Sequence, residues 1–156
     1  MHTTKEARMR YMGIDPGQAG GITVLSDTFD VLESVPMPAT LQDLWELISK
    51  YSGDCVAWLE KVGAMPGQGV ASTFKFGEGY GQLQMALTAA GIPFFDVTPQ
   101  KWQKALGLLS RKGESKTEHK NRMKGAAQQY FPGTKVTLKN ADSILIAFYG
   151  FQTKLL

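Results

Sequence analysis

Asp15, Glu60 and Asp142 each stand at the edge of an apolar run. Asp15 closes Tyr11-Met12-Gly13-Ile14, Glu60 closes Cys55-Val56-Ala57-Trp58-Leu59, and Asp142 opens Ser143-Ile144-Leu145-Ile146-Ala147-Phe148. A carboxylate removed from water without a partner is costly and tends to take up a proton instead. Three of them at the rim of one core call for a cation, and an all-oxygen donor set suits Mg²⁺ or Mn²⁺. In phosphoryl transfer two such ions sit about 3.5–4 Å apart, one activating water and the other stabilising the leaving oxygen. A short Asp at a strand end suits the bridging position. Each acid also has a plainer role open to it. Asp15 in Asp-Pro-Gly could be a turn residue, Glu60 an ion-pair partner for Lys61, and Asp142 a charge favourable to a helix dipole.

The charge distribution bears on what such a site would act on. Residues 1–100 hold 6 basic and 11 acidic side chains, whereas residues 101–156 hold 11 and 3. The basic excess is densest between Lys101 and Lys124, where Lys101, Lys104, Arg111, Lys112, Lys116, Lys120, Arg122 and Lys124 face only Glu114 and Glu118. An acidic half beside a basic half points to metal ligands on one side and a polyanion on the other, with a solvated helix face as the alternative.

The elements that must position these groups follow from periodicity. Residues 11–15, 21–25 and 29–35 read as three short strands joined by tight connections, an antiparallel meander. Thr40 caps a helix carrying Leu41, Leu44, Trp45, Ile48 and Tyr51. Residues 55–59 form a strand that delivers Glu60. Residues 61–73 read as a long functional loop, and a helix follows over about 78–90, stopped by Gly91. Residues 93–97 form a fifth strand. Thr98-Pro99 opens a helix with Trp102 and Leu106, 108–114 reads as a mobile basic loop, and Ser115 to Glu118 fits a capping box. A last helix, apolar nearly all round and therefore buried, begins near Asn140. The result is an α/β domain with a mixed sheet.

At 156 residues the chain is one ordinary domain, able to bury a core without disulfides. Its single cysteine, Cys55, reads as a buried thiol, consistent with a reducing cytoplasm. No stretch is long and apolar enough for a membrane span, so no membrane association is expected. Residues 1–10 read as a flexible arm ahead of a domain over 11–156.

Gly13-Ile14-Asp15-Pro16-Gly17, Leu59-Glu60 and Ala141-Asp142-Ser143-Ile144-Leu145-Ile146-Ala147, in this order and at these separations, resemble the RuvC-type Holliday junction resolvases. The stretch from Glu60 to Gly81, with Met65-Pro66-Gly67-Gln68-Gly69 and Phe74-Lys75-Phe76-Gly77, is similar to their bacteriophage and prophage branch. The resemblance spans about residues 11–150. It implies a ribonuclease H-like fold, a five-stranded mixed sheet flanked by helices. It also implies a homodimer that makes paired, Mg²⁺-dependent nicks in four-way DNA junctions inside a bacterial host cell. Asp15, Glu60 and Asp142 fall on the family's carboxylates, holding two Mg²⁺ per site, with Mn²⁺ as a substitute. Lys104 and Lys116 are the nearest matches to its active-site basic residues, with Lys101, Arg111, Lys112 and Lys120 as DNA-binding neighbours.

Two departures qualify the match. The family's further metal ligand, one helical turn before the last aspartate, is here Lys139, which cannot ligate a cation while protonated. Three carboxylates then suffice, or Lys139 meets the scissile phosphate, or activity is weakened. The family's aromatic wedge position is here Gly63, so Met65, Phe74 or Phe76 must open the junction, with Lys75 on a phosphate. The alternatives to a resolvase are a flap or fork nuclease of the same fold and a junction-binding protein with weak catalysis.

Overall fold

A computed structural model describes residues 8–61 and 63–154. Most of the expected N-terminal arm lies outside these residues. Arg10, assigned to that arm, is instead the first residue of strand β1, beside Cys55.

Five strands form one sheet: β1 (Arg10–Asp15), β2 (Gly21–Leu25), β3 (Val31–Pro36), β4 (Cys55–Glu60) and β5 (Phe94–Val97), in the order β3-β2-β1-β4-β5. The first three are antiparallel neighbours, as short turns require, while β1–β4 and β4–β5 are parallel. The helices are α1 (Leu41–Ser49), α2 (Val70–Ala89), α3 (Pro99–Ala105), α4 (Lys116–Tyr130) and α5 (Ala141–Lys154). The expected mixed α/β architecture is therefore present.

The central strands β1, β2 and β4 are buried on both faces, and their two-residue period sorts their side chains between two cores. Met12, Ile14, Ala57 and Leu59 pack with α1 and α2, whereas Tyr11, Val56 and Trp58 pack with α3, α4 and α5. Helix α5 rides almost on the sheet backbone. A side chain at Gly13 would collide with the backbone of Ser143 and Ala147, and one at Gly150 with the Trp58 ring.

Three details differ from the sequence reading. The third strand starts at Val31 rather than Phe29, because Phe29 sits in the turn at φ 67° and packs its ring on Phe131. Helix α2 starts at Val70, eight residues earlier than its expected start near 78. Its first turn has no side-chain cap and it contains Gly77, Gly79 and Gly81, which conceal the helical signal. Finally, the 108–114 segment is fastened to α4. Arg122 donates to Leu109 O at 2.7 Å and pairs with Glu114 at 2.8 Å, while His119 bonds Leu108 O at 2.7 Å and Ser110 Oγ at 3.2 Å.

Candidate active site

Strand parity and register bring the three acids together. On β1, Asp15 shares a face with Tyr11 and Gly13; on β4, Glu60 shares a face with Val56 and Trp58. Both faces look toward α5. The parallel register that sets Ile14 beside Leu59 makes Asp15 and Glu60 neighbours at the C-terminal ends of adjacent strands. Asp142 enters from the first turn of α5.

That first turn is held by a buried polar chain. Asn140 Oδ1 accepts from Thr137 N at 2.7 Å, and Asn140 Nδ2 donates to Ser34 Oγ on β3 at 3.1 Å. Ser34 Oγ bonds Thr23 Oγ1 on β2 at 2.9 Å, which in turn bonds Ser143 Oγ at 2.8 Å. Thr23 and Ser143 are fully buried. A satisfied buried network fixes one geometry, so it sets where Asp142 stands against the sheet.

The carboxyls also feel one another. Burial pushes Asp15 from 3.8 up to about 8, with Glu60 and Asp142 adding repulsion and Lys120 opposing it. Burial raises Glu60 from 4.5 to about 7 against the lowering effect of the Trp102 indole, whose Nε1 donates to Glu60 Oε2 at 2.7 Å. Asp142 is raised by burial too, opposed by Lys120 and His119. Among the described residues no group of three or more His, Cys, Asp or Glu side chains stands as placed so that it could hold a metal ion. The donor set nevertheless fits a hard dication: oxygen ligands only, desolvated and mutually repelling, as such an ion would relieve.

Asp15 and Asp142 line a cleft of about 220 Å³ with Lys120, Leu138 and the turn from Pro16 to Gly20. Of the basic residues singled out from sequence, Lys120 is the one brought to this cleft. Lys116 is exposed one turn earlier on α4, Lys104 and Lys101 are exposed on α3, and Arg111 and Lys112 are exposed in the connecting segment. Lys139 is exposed in the turn entering α5 and is not part of the cleft lining. Phe74 and Met65 are 73% and 69% exposed, Lys75 is exposed, and Phe76 is half-buried near Gly17. The sequence reading missed two participants. Trp102 read as a core residue on a helical face, and nothing local announced its bond to Glu60. Leu138, an apolar residue 56% exposed, stands at the cleft.

No protein-family model and no curated protein matches the chain. Among solved structures it is similar to Thermus thermophilus RuvC, with a TM-score of 0.60 at 18% identity over 94% of this chain and 96% of that one. It is also similar to T. thermophilus RuvC in complex with Holliday junction substrate, with a TM-score of 0.63 at 16% identity over 94% and 96% of the two chains. The fold is the ribonuclease H-like fold that these structures share.

Proposed function

We propose that the chain is a Holliday junction resolvase of the RuvC type, a structure-selective endonuclease that makes paired nicks in four-way DNA junctions. The observation that carries this reading is the convergence of Asp15, Glu60 and Asp142 on one sheet edge beside Lys120. The likeness to a RuvC solved with its junction substrate supports the choice of DNA. On this reading residues 11–156 are one nuclease domain of the phage or prophage branch, acting in the host cytoplasm.

Asp15, Glu60 and Asp142 would hold the two Mg²⁺ ions, for which Mn²⁺ would substitute. When bound, such ions supply Lewis-acid charge and make water a nucleophile near neutral pH. The chain's own contribution is positional and electrostatic. Trp102 holds one Glu60 oxygen and leaves the other free to ligate. The Thr23–Ser143 and Asn140–Ser34 bonds fix the start of α5 and so Asp142. Lys120 offers an ammonium to the phosphate where negative charge develops. Lys104, Lys116, Lys101, Arg111 and Lys112 grip backbone phosphates farther out.

Paired nicking requires two sites, and α2 carries a surface suited to self-association. Val70, Phe74, Gly77, Gly81 and Met85 fall on one helical face, and Val70, Phe74 and Met85 are 88%, 73% and 63% exposed. We read this face as the homodimer contact, with Met65 and Phe74 near the junction centre.

A junction-binding protein with weak catalysis is the second reading, favoured by Lys139 where relatives place a metal ligand. Cleavage of a synthetic four-way junction, a flap and a fork separates these. Paired Mg²⁺-dependent nicks in the junction, lost in Asp15→Asn, are expected. Equal cutting by Asp15→Asn would remove the metal-site assignment. Tight junction binding without any Mg²⁺- or Mn²⁺-dependent cutting would favour the second reading.

A further inference from the structure

Arg111 and Lys112 stand on a tight turn that is tied to α4. The turn runs from Arg111 to Glu114 and is closed by Glu114 N donating to Arg111 O at 3.0 Å. Gly113 takes φ 80° at its third position, as a type II turn requires. The Glu114 carboxylate closes the turn a second time, accepting from Arg111 N at 3.2 Å. It also accepts twice from Arg122, Nε donating to Oε2 at 2.8 Å and Nη2 to Oε1 at 3.0 Å. Arg122 Nη2 donates as well to Leu109 O at 2.7 Å, and His119, on the same face of α4, donates from Nε2 to Leu108 O at 2.7 Å. The Glu114 and Arg122 side chains are 9% and 18% exposed. Arg111 and Lys112 are exposed, and among the described residues neither is in an ion pair.

We infer that Glu114, Arg122 and His119 are positioning residues for DNA: they hold the 111–114 turn as a preformed prong that offers Arg111 and Lys112 to backbone phosphate. The inference rests on the nuclease reading above, which gives those two cations a phosphate role, and adds the device that aims them. Glu114 and Arg122 neutralise each other inside the clasp, so the charges of Arg111 and Lys112 are left for a polyanion. The Arg122 hydrogen bonds hold the Glu114 carboxyl at about 2, below its usual 4.5, so the clasp stays ionised at neutral pH. An ion pair largely withdrawn from water gains little stability over an apolar pair, and what it adds here is one fixed geometry. Arginine suits the task, because its rigid fork serves two carboxylate oxygens and a carbonyl together, as a lysine ammonium does not. A segment ordered in advance need not be ordered on binding, a step that otherwise costs affinity.

The test measures four-way junction binding across a salt series, without divalent cations so that no strand is cut. It compares wild type, Glu114→Gln, Arg122→Lys and the double variant Arg111→Met with Lys112→Met. Glu114→Gln separates two roles by sign, because it removes a negative charge. If Glu114 acts only as a local acid it repels DNA, and its loss tightens binding. If it positions the prong, its loss weakens binding, by about tenfold. Arg122→Lys keeps the net charge and should weaken binding likewise. The double variant should lower the slope of log affinity against log salt by about 0.9 per phosphate contact. Added to that double variant, Glu114→Gln should weaken binding no further, since it acts through the two cations. Unchanged or tighter binding in Glu114→Gln and Arg122→Lys overturns the inference, as does equal weakening with and without Arg111 and Lys112. Hydrogen exchange on the wild-type chain needs no variant. Slow exchange of the Arg111 and Glu114 amides without DNA is expected, and free exchange overturns the preformed turn. These failures leave the nuclease reading standing if the wild-type chain binds the junction, whereas absence of a gel shift with any branched DNA overturns both.

Discussion

The Trp102 indole donates its Nε1–H to Glu60 Oε2 at 2.7 Å, and both side chains are buried. The bond runs from α3 to the end of β4 and favours the ionised form of a carboxyl that burial otherwise keeps protonated. Trp102→Phe keeps an aromatic ring and removes the donor. Glu60 should then hold its proton to higher pH, and the acidic limb of the cleavage pH profile should move upward. Leaving a buried acceptor unpaired costs about 1–3 kcal/mol, readable by denaturant unfolding. A profile that stays in place would show that the indole only packs.

The raised carboxyls make metal-free stability depend on pH in a definite direction. Asp15 moves from 3.8 to about 8 and Glu60 from 4.5 to about 7. Because the folded state binds these protons more tightly than the unfolded state, stability is greatest below the unfolded values. It is lost as pH rises from about 4, over a window that closes at about 7 for Glu60 and about 8 for Asp15, at about 1.4 kcal/mol per unit for each proton given up. Asp15→Asn should flatten this decline. Mg²⁺ should raise the melting temperature more at pH 8 than at pH 5, since ligands must be deprotonated to bind. Thermal melts across pH, with and without Mg²⁺, read both effects. A wild-type decline as shallow as that of Asp15→Asn would count against the burial argument.

Gly13 is required by the approach of α5. Its missing side chain leaves room for the backbone of Ser143 and Ala147, which cannot yield as a flexible side chain would. Gly13→Ala should cost about 1–3 kcal/mol or more by overpacking. It should also lower cleavage, because lifting α5 moves Asp142 from Asp15. Gly77→Ala, where an added methyl meets nothing within 4 Å, is the contrasting helical case. It should stabilise the monomer by about 0.5–1 kcal/mol. Chemical denaturation of the two variants checks the contrast.

These glycines show what the sequence could and could not reveal. Asp15, Glu60 and Asp142 were legible because each ends or opens an apolar run, and the strand-helix order was legible from hydrophobic period. The helical start of α2 was not, since four glycines from Gly69 to Gly81 and an uncapped first turn carry no local helical signature. Partnerships across the fold were not legible either. The Trp102–Glu60 bond spans 42 residues and the Thr23–Ser143 bond 120, and neither has any local pattern. Basic residues were legible as a class, but which one reaches the cleft depends on how α4 is turned against α5.

The exposed face of α2 bears on assembly. Met85→Lys and Val70→Glu place charges at positions 63% and 88% exposed, so they should leave the monomer's melting temperature nearly unchanged. If this face joins two copies, both substitutions should shift the mass measured by light scattering from dimer toward monomer at micromolar concentration. They should also convert paired nicks into single nicks. A wild-type chain that is monomeric at every concentration would remove this assignment and the paired mechanism with it.

The basic residues can be ranked by place. Lys120 lines the cleft with Asp15 and Asp142 and offsets the rise in both carboxyls, whereas Lys116, one turn away on the same helix, does not line it. A cation acting where charge develops contributes to the rate, while one on a distant phosphate contributes to binding and its salt dependence. Lys120→Met should therefore lower single-turnover cleavage about 10²-fold or more at saturating protein. Lys116→Met should chiefly weaken binding and leave the saturated rate within a few-fold. Lys139→Asp adds an oxygen donor at the entrance to α5. If three carboxylates underfill the ions' shell, it should accelerate cutting. If Lys139 grips the scissile phosphate, it should abolish cutting. Equal rate losses in Lys116→Met and Lys120→Met would show that proximity to Asp15 gives Lys120 no separate role.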